Sequence, residues 1–209
     1  MIISLETNFS FLKAHKVVAV IREVDPQKAH QSIEYAIQAG IKLIEITLTC
    51  PNYAQLLTHF KSQHPDLAFG FGTVISAQQM EELKSYNPDF IVSPAFSKEV
   101  LDVCLEHDIL YLPGVFTPKE ALDAFNFGVK VLKLFPSGIL GHKFVSDVLK
   151  PFPFLNFMPS GGVDLENVTD WLNAGCIAVS VGSSLFKGQT PAEKVAHAAK
   201  LVAKVKDAQ

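Results

Sequence analysis

The sequence predicts a single (β/α)8 TIM barrel spanning residues 1–209 as one domain, with a short helix before the first strand. Three observations predict it. Apolar runs recur with centres roughly 20 to 27 residues apart, the length of one strand, one helix and two short loops. Helix-start signals follow most of these runs, and no linker, charge block or composition shift divides the chain. An open doubly wound sheet is the alternative, but Arg22-Glu23-Val24-Asp25 after the first run contains no glycine fingerprint.

The runs follow a leading segment, Leu5 to His15. The first, Val17 to Arg22, ends in a cation; Asp25-Pro26 then supplies a capping residue and a proline suited to the first helical turn, and Gly40 ends that helix. The second, Leu43 to Leu48, alternates Ile44, Ile46 and Leu48 with Glu45 and Thr47, so the apolar set packs on helices and the polar set points inward. The third, Ala68 to Val74, carries Gly70, Gly72 and Thr73, and Ser76-Ala77-Gln78-Gln79 reads as a capping box. The fourth, Phe90 to Pro94, ends in Ser93-Pro94. The fifth, Leu110 to Val115, precedes the capping box Thr117-Pro118-Lys119-Glu120 and a helix whose apolar set is Ala121, Phe125 and Phe127, closed by Gly128. The sixth, Val131 to Pro136, holds Lys133. The seventh, Phe157 to Val163, contains Ser160-Gly161-Gly162, and Gly175 ends the helix that follows. The eighth, Ala178 to Leu185, contains Gly182-Ser183-Ser184, and the box Thr190-Pro191-Ala192-Glu193 starts a last helix with Val195, Ala198, Leu201, Val202 and Val205 on one face.

Composition narrows the function. A net charge of −3 without a dense basic stripe argues against nucleic acid as partner. No apolar run approaches the roughly 18 to 20 residues of a membrane helix, and the N-terminus lacks signal-peptide architecture, so the expected address is cytoplasmic. Cys50, Cys104 and Cys176 lie far apart, and the seven histidines form no His-Glu-x-x-His, so neither a disulfide framework nor a metal is expected. The expected ligand is a small molecule, with no cofactor.

In a barrel, function gathers where strands end. Lys133 interrupts a run of Val, Leu and Phe, and burial there pushes a lysine toward its neutral, nucleophilic form. The other reading is an edge lysine whose head snorkels to water. Glu45 points the same way and needs a cation, with Lys133 and Arg22 as candidates; a structural ion pair is the competing reading. Ser160-Gly161-Gly162 and Gly182-Ser183-Ser184 form a phosphate cradle at the last two strands, or else tight turns.

Taken together, these residues resemble the 2-keto-3-deoxy-6-phosphogluconate aldolase family, whose members also cleave 4-hydroxy-2-oxoglutarate. The resemblance runs nearly end to end through Val20-Ile21-Arg22, Ile44-Glu45-Ile46-Thr47, Gly70-Phe71-Gly72-Thr73-Val74, Val92-Ser93-Pro94, Pro113-Gly114, Lys133-Leu134-Phe135-Pro136, Pro159-Ser160-Gly161-Gly162-Val163 and Val181-Gly182-Ser183-Ser184. It implies a class I aldolase without a cofactor, acting on a phosphorylated keto acid and assembled as a homotrimer. Lys133 would form the imine and Glu45 would be the general acid/base. Thr73 would contact the carboxylate or carbonyl end, Gly161, Gly162 and Ser184 would hold the phosphate, and Arg22, Thr49, Ser93, Pro94, Phe135, Ser160 and Ser183 complete the expected binding set.

Thr49 stands where many members carry an anion-binding arginine, and Arg22 is expected to replace it. Phe71 replaces a common alanine and Ser160 a common threonine, which leaves open the galactonate epimer as substrate. A phosphosugar epimerase, isomerase or synthase without a covalent lysine remains the alternative on the same barrel, and a barrel used only for binding is a third reading.

Overall fold

The computed structural model describes residues 4–208. Ser4 accepts from the Thr7 amide and starts α1 (Leu5–His15), which Lys16 ends in a left-handed conformation. There follow β1 (Val17–Ile21), α2 (Pro26–Gln38), β2 (Leu43–Thr47), α3 (Tyr53–Gln63), β3 (Ala68–Gly72), α4 (Ala77–Leu83), β4 (Phe90–Val92) and α5 (Lys98–Glu106). The second half comprises β5 (Leu110–Leu112), β6 (Gly114–Val115), α6 (Pro118–Asn126), β7 (Leu132–Leu134), α7 (Ser137–Leu140), α8 (His142–Leu149), β8 (Phe157–Pro159), α9 (Val168–Asn173), β9 (Val179–Val181) and α10 (Pro191–Asp207). No helix among the described residues is long and apolar enough to cross a membrane.

Local chemistry sets most boundaries. Asp25 accepts from Gln27 and Lys28 at the start of α2, and both threonine capping boxes form, at Thr117 with Glu120 and at Thr190 with Glu193. The third box differs. Ser76 caps Gln79, but the Gln79 side chain reaches back to the Ile75 amide, one residue before the cap. Gly40, Gly128 and Gly175 all take positive φ at helix ends.

The strands form a curled parallel sheet in two pieces, β5-β4-β3-β2-β1-β9 and β6-β7-β8. The fifth apolar run is therefore two strands rather than one. Pro113 divides it, because proline has no N–H to give to a ladder, although its carbonyl still accepts from Lys133. On the other side, β8 meets β9 through the Ser160–Ser180 bridge and the Ile177 amide donating to the Phe157 carbonyl.

Two apolar layers result. The outer one lies between sheet and helices and includes Ile44, Ile46 and Leu134. The inner one gathers Val18, Leu43, Ala68, Phe90, Leu110, Val131 and Met158, with Leu12 of α1 packed among them. Gly70 belongs to the inward face, in register with Glu45 and Phe90. A Cβ there would stand 2.4 Å from both the Phe90 ring and the Phe90 carbonyl oxygen, and the latter cannot move aside. Gly70→Ala is expected to destabilise the chain by about 1–3 kcal/mol, read as a lower urea midpoint.

Helix α6 corrects one expectation. It buries Ala121 and Ala124, while Phe125 and the C-cap residue Phe127 stay partly exposed, 36% and 50%, Phe127 stacking on Phe96 and Phe125 meeting Phe154 at a tilt.

Candidate active site

The register places Lys133 opposite Gly114 on one side and Met158 on the other, so its side chain enters the interior above the inner apolar layer. It is 5% exposed, and its Nζ lies 4.8 Å from the centroid of the Phe135 ring. Burial pushes its pKa below the ordinary lysine value; Glu45 opposes that shift and Arg22 adds to it. This is the environment that favours a free amine.

Glu45 sits on β2 in register with Val20 and Gly70 and is fully buried. Neither of its carboxylate oxygens has a hydrogen-bond partner. Burial raises its pKa, with Lys133 and then Arg22 pulling it back. None of the ion pairs among the described residues involves Glu45 or Lys133. The two groups thus act on each other across a gap. That geometry differs from a structural salt bridge, which would satisfy both partners.

Arg22, exposed beyond β1, donates from Nη2 to Thr73 Oγ1 at 2.9 Å. Thr73 has φ +67°, a left-handed conformation that is a true outlier for a β-branched residue and costs about 1–3 kcal/mol. Thr49 lies elsewhere: its hydroxyl is 2.7 Å from that of Thr47, which donates to the Ile21 carbonyl. Ser93 is buried with no partner for its hydroxyl, and the Pro94 carbonyl packs where a Gly114 side chain would stand.

The last two strands end in the turns Gly161-Gly162 and Gly182-Ser183-Ser184. Gly161 and Gly162 take φ +83° and +90°, and a Cβ on Gly162 would come within 2.7 Å of Gly138 Cα. The turn is pinned from below, because the Gly161 carbonyl accepts from both the Gly138 amide and the Ser137 hydroxyl, each at 2.7 Å. Ser184 Oγ donates to the Val163 carbonyl and ties the second turn to the first. Among the described residues, the amides of Gly161, Gly162, Ser183 and Ser184 donate to no backbone acceptor. Such a set of free donors suits an anion.

A cavity of about 230 Å³ joins these parts, lined by Arg22, Lys133, Phe135, Ser160, Gly161, Gly162, Ser183 and Ser184. Thr49, Thr73, Ser93 and Pro94 do not line it, nor does Glu45, which lies deeper. The sequence reading missed Asp164 and Ser180, which do, and the bracing pair Ser137-Gly138. The signal for that pair was its position directly after the lysine strand. Among the described residues, no three His, Cys, Asp or Glu side chains converge as a metal site would require.

The chain is similar to known proteins over nearly all its length. Residues 9–201 match the model of the family described as Aldolase: KDPG and KHG aldolase. A 2-dehydro-3-deoxy-6-phosphogalactonate aldolase of Escherichia coli K12 is 29% identical over 185 residues, 88% of this chain and 90% of that one. A 2-dehydro-3-deoxy-phosphogluconate aldolase of Treponema pallidum is 27% identical over 185 residues, 88% of each. The solved structure of native KDPGal aligns with a TM-score of 0.84 at 28% identity, covering 92% of this chain and 95% of that one. Relatives of both names stand at nearly equal distance. With this match running from residue 9 to residue 201, across the strands of Glu45 and Lys133 and the turns after the last two strands, the chain belongs to the KDPG and KHG aldolase family and is an aldolase.

Proposed function

We propose that the chain is a class I aldolase that cleaves 2-keto-3-deoxy-6-phosphogluconate, or its galactonate epimer, to pyruvate and glyceraldehyde 3-phosphate. Cleavage of 4-hydroxy-2-oxoglutarate to pyruvate and glyoxylate is the related activity. One observation carries the proposal: a buried lysine disposed to be neutral faces a buried, unpartnered carboxylate beneath a cavity of free backbone donors.

The chemistry follows from these groups. The neutral Lys133 amine adds to the C2 carbonyl, and uptake of one proton with loss of the carbinolamine hydroxyl as water gives an iminium, the proton being released again at the final hydrolysis. Glu45, directly or through water, takes the C4 hydroxyl proton. The C3–C4 bond then breaks, its electron pair moving onto the iminium to give an enamine and the aldehyde. The proton returns to C3, and hydrolysis releases pyruvate and the amine. The amides of Gly161, Gly162, Ser183 and Ser184 receive the phosphate, while Arg22 and Thr73 bind the carboxylate end. Phe135 flanks the amine. The reading includes a closed (β/α)8 barrel, supported by the continuity of β5 with β6 and the Ser160–Ser180 bridge. It also takes residues 1–209 as one domain of a cytoplasmic homotrimer.

Incubation with pyruvate and borohydride tests it. A stable adduct mapped to Lys133 by mass spectrometry is the expected result. A folded enzyme that forms none would point instead to a phosphosugar enzyme without covalent catalysis. Relative rates on the two epimers and on 4-hydroxy-2-oxoglutarate then assign the substrate.

Arg22→Ala is expected to raise KM for the sugar acid by roughly 10- to 100-fold, the worth of one charge-assisted hydrogen bond. A KM equal to the wild type's would remove Arg22 from substrate binding.

A further inference from the structure

Beside Glu45, on the neighbouring strand, Gly72 ends β3 in register with Thr47. A Cβ built on Gly72 would lie 1.9 Å from Glu45 Oε1, 2.6 Å from its carboxyl carbon and 2.7 Å from its Cγ. Those are its three nearest neighbours, and all belong to one side chain. Unlike Gly161 and Gly162, Gly72 does not need glycine for its backbone, since its φ is not among the positive ones. What the missing side chain supplies here is room for a carboxylate.

We propose that Gly72 is the positioning residue for Glu45: the carboxylate is seated in the space a side chain at position 72 would fill, and that seat keeps it off Lys133. This rests on the roles assigned to Lys133 and Glu45 above. The physical reason is the behaviour of two opposite charges in a buried site. Free to swing, Glu45 would be drawn to Lys133, and a contact pair would hold the amine protonated and unable to attack a carbonyl. Seated on β3, the carboxylate makes no ion pair and no hydrogen bond. The charged groups around the amine are Glu45 on β2, Arg22 beyond β1 and Asp164 in the cavity wall beyond β8. Of these, Glu45 is the one whose seat a methyl group at position 72 removes.

The test compares wild type, Gly72→Ala, Glu45→Ala and the double variant. The pH dependence of the borohydride-trapped pyruvate adduct is measured for each, with urea midpoints alongside. In Gly72→Ala the displaced carboxylate should move toward Lys133, raising the pH of half-maximal trapping by about 1 unit or more. Its kcat should fall roughly 100-fold from a misplacement of about 1 Å. The double variant should match Glu45→Ala in both trapping profile and urea midpoint, because the three atoms nearest the added methyl, Glu45 Oε1, its carboxyl carbon and Cγ, are all absent from alanine. A wild-type trapping profile in Gly72→Ala overturns the proposal. So does a double variant less stable than Glu45→Ala, which would assign Gly72 to backbone packing. An adduct at wild-type Lys133 upholds the aldolase reading in either case, so the two can fail separately.

Discussion

Lys133→Ala is expected to lower kcat by at least about 10⁴-fold and to abolish the pyruvate adduct. The size of the effect follows from what remains. Among the residues lining the cavity, Lys133 is the one amine; Arg22, the other cation, keeps its proton and cannot act as a nucleophile. Lys133→Arg should be equally inactive for the same reason, which separates loss of a nucleophile from loss of a charge. Neither change should unfold the chain, because the strand contact is made by the backbone: the Lys133 amide donates to the Pro113 carbonyl at 2.9 Å. A borohydride adduct surviving in a folded Lys133→Ala enzyme would place the imine on another residue.

Glu45→Gln should leave imine formation in place and lower kcat by about 10²–10⁴-fold, the usual contribution of a general acid/base. The distinguishing readout is exchange of the pyruvate methyl protons with deuterated water, which needs the base and not the aldehyde. It should vanish while trapping persists. Because Glu45 raises the Lys133 pKa, its removal should also extend trapping to lower pH. Stability moves the other way from activity. Burial holds the folded-state pKa of Glu45 above the ordinary glutamate value of 4.5, so the folded chain binds more protons than the unfolded one between the two values. Wild-type stability therefore falls as pH rises through that window and stays lower above it, and Glu45→Gln lacks that fall. The urea midpoint of the variant relative to wild type should grow as pH rises from below 4.5. Retained methyl exchange in Glu45→Gln would assign the proton transfer to another group.

Lys133 and Glu45 were legible in the sequence because each breaks an apolar run whose period fixes the direction of its side chain. The capping residues were legible because their chemistry is local, as at Thr117 and Thr190. Contacts set by the register between strands were not. That Glu45 rests against Gly72 depends on how β2 slides along β3, and that Arg22 reaches Thr73 depends on where two loops meet two strands apart. Thr49 looked like a substrate ligand by position, yet its neighbour Thr47 engages its hydroxyl, two residues away. Phe125 and Phe127 fit a helical stripe, but the stripe that packs on the sheet is made by smaller residues, Ala121 and Ala124.

The division of the sheet at Pro113 has a mechanical consequence. Glu45 belongs to the six-stranded piece, with Thr73 just past the end of its β3, and Lys133 to the three-stranded piece. The two turns with free amides are split in the same way, Gly161-Gly162 following β8 and Ser183-Ser184 following β9. The pieces are joined where the chain passes through Pro113 and, between β8 and β9, by the Ser160–Ser180 bridge and the Ile177–Phe157 hydrogen bond. Lys133 and Glu45 thus lie on separately hydrogen-bonded pieces of the sheet. A phosphate gripped by both turns would span the seam between β8 and β9 and tie the two pieces together.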